Sequence, residues 1–206
     1  MRVNVKFCGM TRREDLEAAG DLEADAVGLV FVPGTPRALS IPLARDILRG
    51  LPPFVARVGV FADDDPARIR RIREDLALTS VQLHGDETPQ DCEAVGGSII
   101  KTFKISEGRA PSLPADYPCD AYLLEADIAG RAGGAGVSFD WKRISGGFAG
   151  RRIILAGGLT PENVEEAIRI VRPYAVDVSS GIETAPGVKD RGKMTAFLEA
   201  VRRASA

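Results

Sequence analysis

Cysteine is rare in this sequence, and one of its three cysteines lies in the stretch KFCGMT, residues 6–11. Cys8 ends a short β-branched run that is followed by residues with helical spacing. Because side chains alternate along a strand, Cys8 points away from the face that carries Val3, Val5 and Phe7. Most free cysteines are small buried apolar residues, but a thiol near strand-end amides could have a lowered pKa and accept a proton.

Two glycine-rich stretches have the composition of anion-binding loops. LAGGLTPEN follows a predicted seventh strand, and VDVSSGIE ends a predicted eighth. Glycine lets backbone N–H groups approach an anion closely, and a serine adds a hydroxyl. Each loop alone would be typical of an ordinary turn, but two on neighbouring strands predict a phosphate site formed by Gly157, Gly158, Ser180 and Gly181.

A cation for a second anionic group is available in the Pro- and Gly-rich loop VPGTPRALS. Most loop arginines are solvated. Arg37, however, follows the predicted second strand, so it belongs to the same end of the fold as the glycine-rich loops.

These residues stand at the ends of short apolar runs that alternate with helical patterns. Several runs are continuously apolar, as strands covered on both faces are. The predicted strands are residues 3–8, 26–31, 56–61, 80–84, 99–104, 121–126, 152–156 and 175–179.

Helix starts are marked between most of the strands. Thr11 to Glu14 has the spacing of a capping box, and Thr88-Pro89 places proline at a first helical position. The last helix is predicted over residues 192–203. Residues 106–118 are rich in Pro and Ser and predict a loop or a short, degenerate helix after strand five.

Eight strand–helix units in 206 residues predict an α/β fold with a parallel sheet. The number of strands favours one closed (β/α)8 barrel over residues 1–206, whereas an open doubly wound sheet would usually use fewer. Active sites of such barrels lie at the carboxyl ends of the strands. Cys8, His84, Glu125 and the two glycine-rich loops all stand at such ends.

The bulk composition is that of a globular protein with a substantial core. The chain is 45% hydrophobic and 27% charged, and its net charge of −2 favours neither nucleic acid nor an anionic membrane as a partner. Three widely spaced cysteines argue against a disulfide framework or a zinc site, and they favour the cytoplasm. The expected partner is a small phosphorylated molecule, with the chain acting as a monomer or a homodimer.

Several stretches occur together in an order that is highly specific. They are KFCGMTRREDLEAA, GLVFVPGTPRALS, VGVF, VQLHGDE, GGAGVSFDW, ILAGGLTPENVEEAI and RPYAVDVSSGIETAPGVKD. The set resembles the phosphoribosylanthranilate isomerases of tryptophan biosynthesis. The resemblance implies a (β/α)8 barrel that converts N-(5-phosphoribosyl)anthranilate into a 1-deoxyribulose 5-phosphate by an Amadori rearrangement.

The resemblance also assigns roles to residues. It implies that Cys8 is the general base, that Arg37 binds the anthranilate carboxylate, and that the two glycine-rich loops bind the phosphate. No metal or redox cofactor is expected, because the iminium intermediate is itself the electron sink.

The general acid departs from the pattern of the family, which usually has aspartate there. This chain has Glu125, and the extra methylene moves the carboxyl by roughly an ångström, a displacement that can cost ~10²-fold in rate. Asp127 shares the parity of Glu125 and is the alternative acid. Either carboxyl is expected to have a raised pKa near the operating pH.

Two further residues are candidates for contact with the substrate. His84 is the only histidine, and we assign it a structural or substrate-orienting role because the chemistry of the family does not require it. Asp177 is predicted to face the barrel mouth, where it could orient substrate hydroxyls.

Other functions remain open at this point. A different sugar-phosphate aldose–ketose isomerase would be expected to use aspartates on strands one and five, where this chain has Cys8, Lys101 and Lys104. A barrel that binds a phosphorylated ligand without catalysis is a second alternative. In that case Glu125, in place of the usual aspartate of the family, would be a sign of lost catalysis.

Overall fold

A computed structural model describes residues 2–106, 114, 117–127, 141 and 150–205. Eight parallel strands pair in chain order, and the eighth pairs with the first, so the sheet is a closed barrel. The predicted α/β barrel is therefore confirmed. The strands are β1 (Asn4–Cys8), β2 (Ala26–Val30), β3 (Ala56–Phe61), β4 (Ser80–Leu83), β5 (Ile99–Ser106), β6 (Ala121–Asp127), β7 (Ile153–Ala156) and β8 (Ala175–Val178).

The strands are buried on both faces because helices cover the outside and side chains fill the inside. On the outer face of β1, Phe7 is fully buried and its ring meets that of Phe197 with centroids 6.3 Å apart. Inside the barrel, a second apolar cluster includes Leu123 and Ile154. Cys8 belongs to neither cluster and packs with two valines at the mouth, as its strand parity predicted.

In the described part of the chain, six α-helices follow strands and pack against the barrel. They are α1 (Arg13–Asp21), α2 (Ile41–Ile47), α3 (Pro66–Leu76), α4 (Pro89–Val95), α5 (Val164–Val171) and α6 (Arg191–Ser205). Side-chain caps explain several starts. Asp65 accepts a hydrogen bond from the backbone of Ala67, and Thr88 forms a reciprocal capping box with Asp91.

The capping box predicted at Thr11 is wrong. The N-cap of α1 is Arg12, which makes no side-chain cap, and the Thr11 hydroxyl donates to the carbonyl oxygen of Gly187 instead. Gly187 lies in a hairpin that the sequence did not predict, formed by antiparallel β9 (Glu183–Ala185) and β10 (Val188–Lys189). A long-range partner has thus replaced the local one.

The degenerate helix predicted after strand five falls mostly on residues 107–116, which lie outside the described part of the chain except for Pro114. Among the described residues, no helix combines the length and the apolar composition needed to cross a membrane.

Candidate active site

A cavity of about 340 Å³ opens at the carboxyl ends of the strands. Small-molecule sites range over ~300–1,000 Å³, so its size suits a ligand of moderate size. Apart from the alternative acid Asp127, nine site residues were predicted from the sequence, and all but Gly181 line the cavity: Cys8, Arg37, His84, Glu125, Gly157, Gly158, Asp177 and Ser180.

Cys8 ends β1 with its thiol directed into the cavity. Gly28 on β2 makes the room, because a Cβ there would lie 2.7 Å from the Cys8 sulfur. The lowered pKa expected from the sequence is wrong. Burial raises the pKa of Cys8, the charge of Asp177 raises it further, and nearby Lys6 and Lys189 offset only part of the effect.

A buried ion pair lies directly below the thiol. The Lys6 ammonium is 2.9 Å from a carboxylate oxygen of Asp177 and 2.8 Å from the side-chain oxygen of Gln82. Burial alone would lower the pKa of Lys6, but the attraction of Asp177 and Cys8 outweighs it and the pKa is raised. Asp177 therefore faces the mouth as parity predicted, and it also holds a charged lysine inside the barrel.

Glu125 reaches the cavity from β6 and is bound by the only histidine. The distance from His84 Nε2 to Glu125 Oε2 is 3.1 Å, and the Glu125 side chain is about one-third exposed. The raised pKa expected for this carboxyl is wrong. The hydrogen bond from His84 lowers the pKa of Glu125 and outweighs burial, with a further contribution from Lys104 and Lys6.

Asp127, the alternative acid, is the last residue of β6, and its backbone pairs with Ser106 of β5. Its side chain lies outside the described part of the structure.

The two predicted phosphate loops touch each other. Gly157 and Gly158 have φ angles of 87° and 63°, which favour glycine. A Cβ at Gly181 would lie 2.0 Å from the carbonyl oxygen of Leu159, so only glycine allows this contact between the loops. Ser180 lines the cavity beside them.

Arg37 lines the cavity but already has a carboxylate partner. Its guanidinium binds Glu183 in a bidentate manner, with Nε–Oε1 and Nη2–Oε2 distances of 2.8 and 2.5 Å. Lys189, whose side chain is fully buried, also binds Glu183 Oε1 at 2.7 Å and donates to the carbonyl oxygens of Cys8 and Ser179. The hairpin thus ties the ends of β1, β2 and β8 together.

Sequence reasoning missed four polar residues of this site. Lys6 and Gln82 lie two residues before Cys8 and His84 on the same strand faces, so the alternation of side chains could have indicated them. Glu183 and Lys189 lie in the unpredicted hairpin and carried no comparable signal. In the described part of the chain, no group of three or more His, Cys, Asp and Glu residues could hold a metal ion.

A closed parallel barrel with a cavity at the carboxyl ends of its strands, lined by apolar side chains and a few charged and polar ones, defines a (β/α)8-barrel protein with a small-molecule site. The profile of the N-(5'-phosphoribosyl)anthranilate isomerase family matches residues 5–200. The chain belongs to this family.

Individual relatives cover nearly the full length of the chain. An N-(5'-phosphoribosyl)anthranilate isomerase of Nitrosococcus oceani is 50% identical over 203 residues, 98% of each chain. The phosphoribosyl anthranilate isomerase of Thermotoga maritima has a TM-score of 0.88 at 38% identity, covering 98% of this chain and 99% of that one. Another, crystallised with reduced 1-(o-carboxyphenylamino)-1-deoxyribulose 5-phosphate, has a TM-score of 0.81 at 36% identity over 98% and 99% of the two chains.

Proposed function

We propose that this chain isomerises N-(5-phosphoribosyl)anthranilate to 1-(o-carboxyphenylamino)-1-deoxyribulose 5-phosphate in tryptophan biosynthesis. One observation carries the proposal: a thiol on β1 and a carboxyl on β6 line the same cavity, beside two glycine loops that touch. The relative crystallised with the reduced form of this product supports the choice of ligand.

The proposed reaction needs one acid and one base. Glu125, as the carboxylic acid, gives its proton to the ring oxygen, the bond from that oxygen to C1 breaks, and the nitrogen lone pair forms the iminium. Cys8, as the thiolate, then removes the proton from C2 to give the enolamine. The thiol returns a proton to C1 and the carboxylate takes the one on the C2 hydroxyl, so both groups end as they began.

The reaction needs one proton on the pair, and that proton must be on Glu125. In the free protein, the pKa directions place it on Cys8 instead. Burial and Asp177 favour the thiol of Cys8, and His84 favours the carboxylate of Glu125. The reactive form, thiolate with carboxylic acid, has the same total number of protons. The reactive form is therefore a minor form with the same net charge. The substrate must react with the protein in that form.

The remaining predicted residues would bind the substrate. Gly157, Gly158, Ser180 and Gly181 are proposed to hold the phosphate with backbone N–H groups and a hydroxyl. Arg37 would bind the anthranilate carboxylate while it also contacts Glu183. Asp177 would orient the ribose hydroxyls.

The identity of the acid is tested by two variants assayed side by side. Glu125→Gln should lower kcat by about 10²–10⁴-fold, the range of general acid catalysis, and Asp127→Asn should stay within a few-fold of the parent. Loss of activity in Asp127→Asn alone would transfer the role to Asp127.

A binding protein without catalysis is the second candidate, and it is favoured by the raised pKa of Cys8 and the lowered pKa of Glu125, which oppose their roles as base and acid. Purified protein should convert N-(5-phosphoribosyl)anthranilate, and Cys8→Ser should lose at least about 10²-fold in kcat. Protein that binds a product analogue tightly but turns nothing over would support the binding function instead.

We also propose that residues 1–206 form one domain, as a monomer or a homodimer, in the cytoplasm. The three cysteines, Cys8, Cys92 and Cys119, are free thiols, which is typical of a reducing compartment. Sedimentation equilibrium of the purified chain determines which of the two assemblies forms.

A further inference from the structure

Three polar side chains connect the interior of the barrel to Glu125 by hydrogen bonds. Lys6 Nζ lies 2.8 Å from Gln82 Oε1, Gln82 Nε2 lies 3.1 Å from His84 Nδ1, and His84 Nε2 lies 3.1 Å from Glu125 Oε2. This series of hydrogen bonds runs from β1 through β4 to β6. Its first two side chains, Lys6 and Gln82, are at most 4% exposed.

The direction of every hydrogen bond in this series of side chains follows from its first member, Lys6. An ammonium group can only donate, so the oxygen of the Gln82 amide must face Lys6. The amide nitrogen then faces His84, and because that nitrogen also only donates, Nδ1 of His84 must accept. A neutral imidazole that accepts at Nδ1 carries its proton on Nε2, which is the nitrogen that faces Glu125.

A fourth contact is compatible with this direction. Thr102 Oγ1 is 3.2 Å from His84 Nδ1, and its hydroxyl can donate to that nitrogen. Reversal of the Gln82 amide would bring its NH2 group against the Lys6 ammonium, two donors face to face. Gln82 is only 1% exposed, so water cannot compensate for that mismatch.

We propose that Lys6 and Gln82 fix His84 in its Nε2–H form, and that His84 in this form is a positioning residue that aims the Glu125 carboxylate into the cavity. The role of Glu125 as the acid rests on the proposed function, whereas the tautomer of His84 does not. The length of the Glu125 side chain matters for this contact. An aspartate carboxyl, one methylene shorter, would not reach His84 Nε2, which lies 3.1 Å from Glu125 Oε2.

The tautomer can be measured without any substrate. His84 is the only histidine, so protein labelled with nitrogen-15 histidine gives one pair of ring signals, and the chemical shifts show which nitrogen carries the proton. At a pH where the ring is neutral, we expect a single Nε2–H form. A predominant Nδ1–H form, or an equal mixture of the two, would overturn the proposal.

Two variants test what fixes the tautomer. Gln82→Met removes a donor to Nδ1 and should raise the fraction of the Nδ1–H form above that of the parent, because the Glu125 carboxylate alone then selects the Nε2–H form. Thr102→Val removes the other neighbour of Nδ1 and should leave the Nε2–H form in place. The reverse pattern, with Thr102→Val raising the fraction of the Nδ1–H form, would assign the control to Thr102 and contradict the role of Lys6 and Gln82.

The positioning role is tested by kinetics with matched variants. The amide nitrogen of glutamine overlays Nε2 of histidine, while that of asparagine overlays Nδ1. His84→Asn should lower kcat by about 10²-fold with a much smaller change in KM, because a small misplacement of a catalytic group has that cost. His84→Gln should recover most of this loss.

The same two substitutions are then made in a Glu125→Asp background. There the carboxyl no longer reaches residue 84, so His84→Asn and His84→Gln should differ by less than about threefold, as substitutions that have lost their coupling do. Equal losses in both backgrounds would show that His84 acts elsewhere. A parent enzyme without turnover would contradict the proposed function and leave the tautomer measurement valid.

Discussion

At the scale of single residues, neighbours from distant strands decide which group carries the proton. The thiol of Cys8 and the carboxyl of Glu125 have pKa values shifted in opposite directions, upward and downward. The reactive form has one proton on the pair, so kcat/KM should be constant between the two values and fall on either side. The acidic limb belongs to Glu125 and the basic limb to Cys8.

This pH profile is predicted to respond to one substitution. His84→Asn removes the hydrogen bond that contributes most to lowering the pKa of Glu125, while Lys104 and Lys6 remain. The acidic limb of kcat/KM should therefore move to higher pH and the basic limb should stay. A profile whose basic limb moves instead would show that His84 acts on Cys8.

Gly28 provides the space that the Cys8 thiol occupies. Gly28→Ala would place a Cβ 2.7 Å from the sulfur, so the thiol must move, and we expect a lower kcat together with a loss of about 1–3 kcal/mol in the free energy of unfolding. Gly192→Ala is the matched control, because there the nearest atom is a side-chain oxygen at 3.1 Å. Equal behaviour of the two variants in kinetics and urea unfolding would contradict the packing argument.

At the scale of elements, a second buried ion pair anchors the loop after β4, next to His84. Lys101 and Glu87 are each 4% exposed in the side chain, and their charged atoms are 2.7 Å apart. The other oxygen of Glu87 accepts hydrogen bonds from the backbone N–H groups of Asp63 and Gly85. This pair joins β5 to the loops after β3 and β4.

Removing one member of this pair should cost more than removing both charges. Lys101→Met leaves a buried carboxylate without its partner and should lower the free energy of unfolding by about 3–5 kcal/mol. Adding Glu87→Gln should recover part of that loss. Urea unfolding checks both, and a double variant less stable than Lys101→Met would show that the pair is not coupled in this way.

At the scale of the whole molecule, the barrel followed from local patterns. Apolar runs separated by helical spacing predicted all eight strands, and their ends differ from the observed ones by at most two residues. Strand parity directed Cys8 and Asp177 into the mouth, because side-chain alternation is a local property of the chain.

What the sequence did not predict depends on contacts between distant segments. Lys6 meets Asp177 across a separation of 171 residues, and Arg37 meets Glu183 across 146. The tilt and register of the closed barrel determine such pairs, and no local pattern reports them. This is why the pKa directions of Cys8 and Glu125 were predicted wrongly although both residues line the cavity at the predicted end of the barrel.

The central claim is that Cys8 and Glu125 act together as base and acid in one cavity. Its most direct measurement is the turnover of N-(5-phosphoribosyl)anthranilate by the parent protein, Cys8→Ser and Glu125→Gln, with binding of a product analogue measured for all three. We predict turnover by the parent, loss of at least about 10²-fold in kcat for each variant, and retained binding. Undiminished turnover by Cys8→Ser, or a parent that binds the analogue and converts nothing, would contradict the claim.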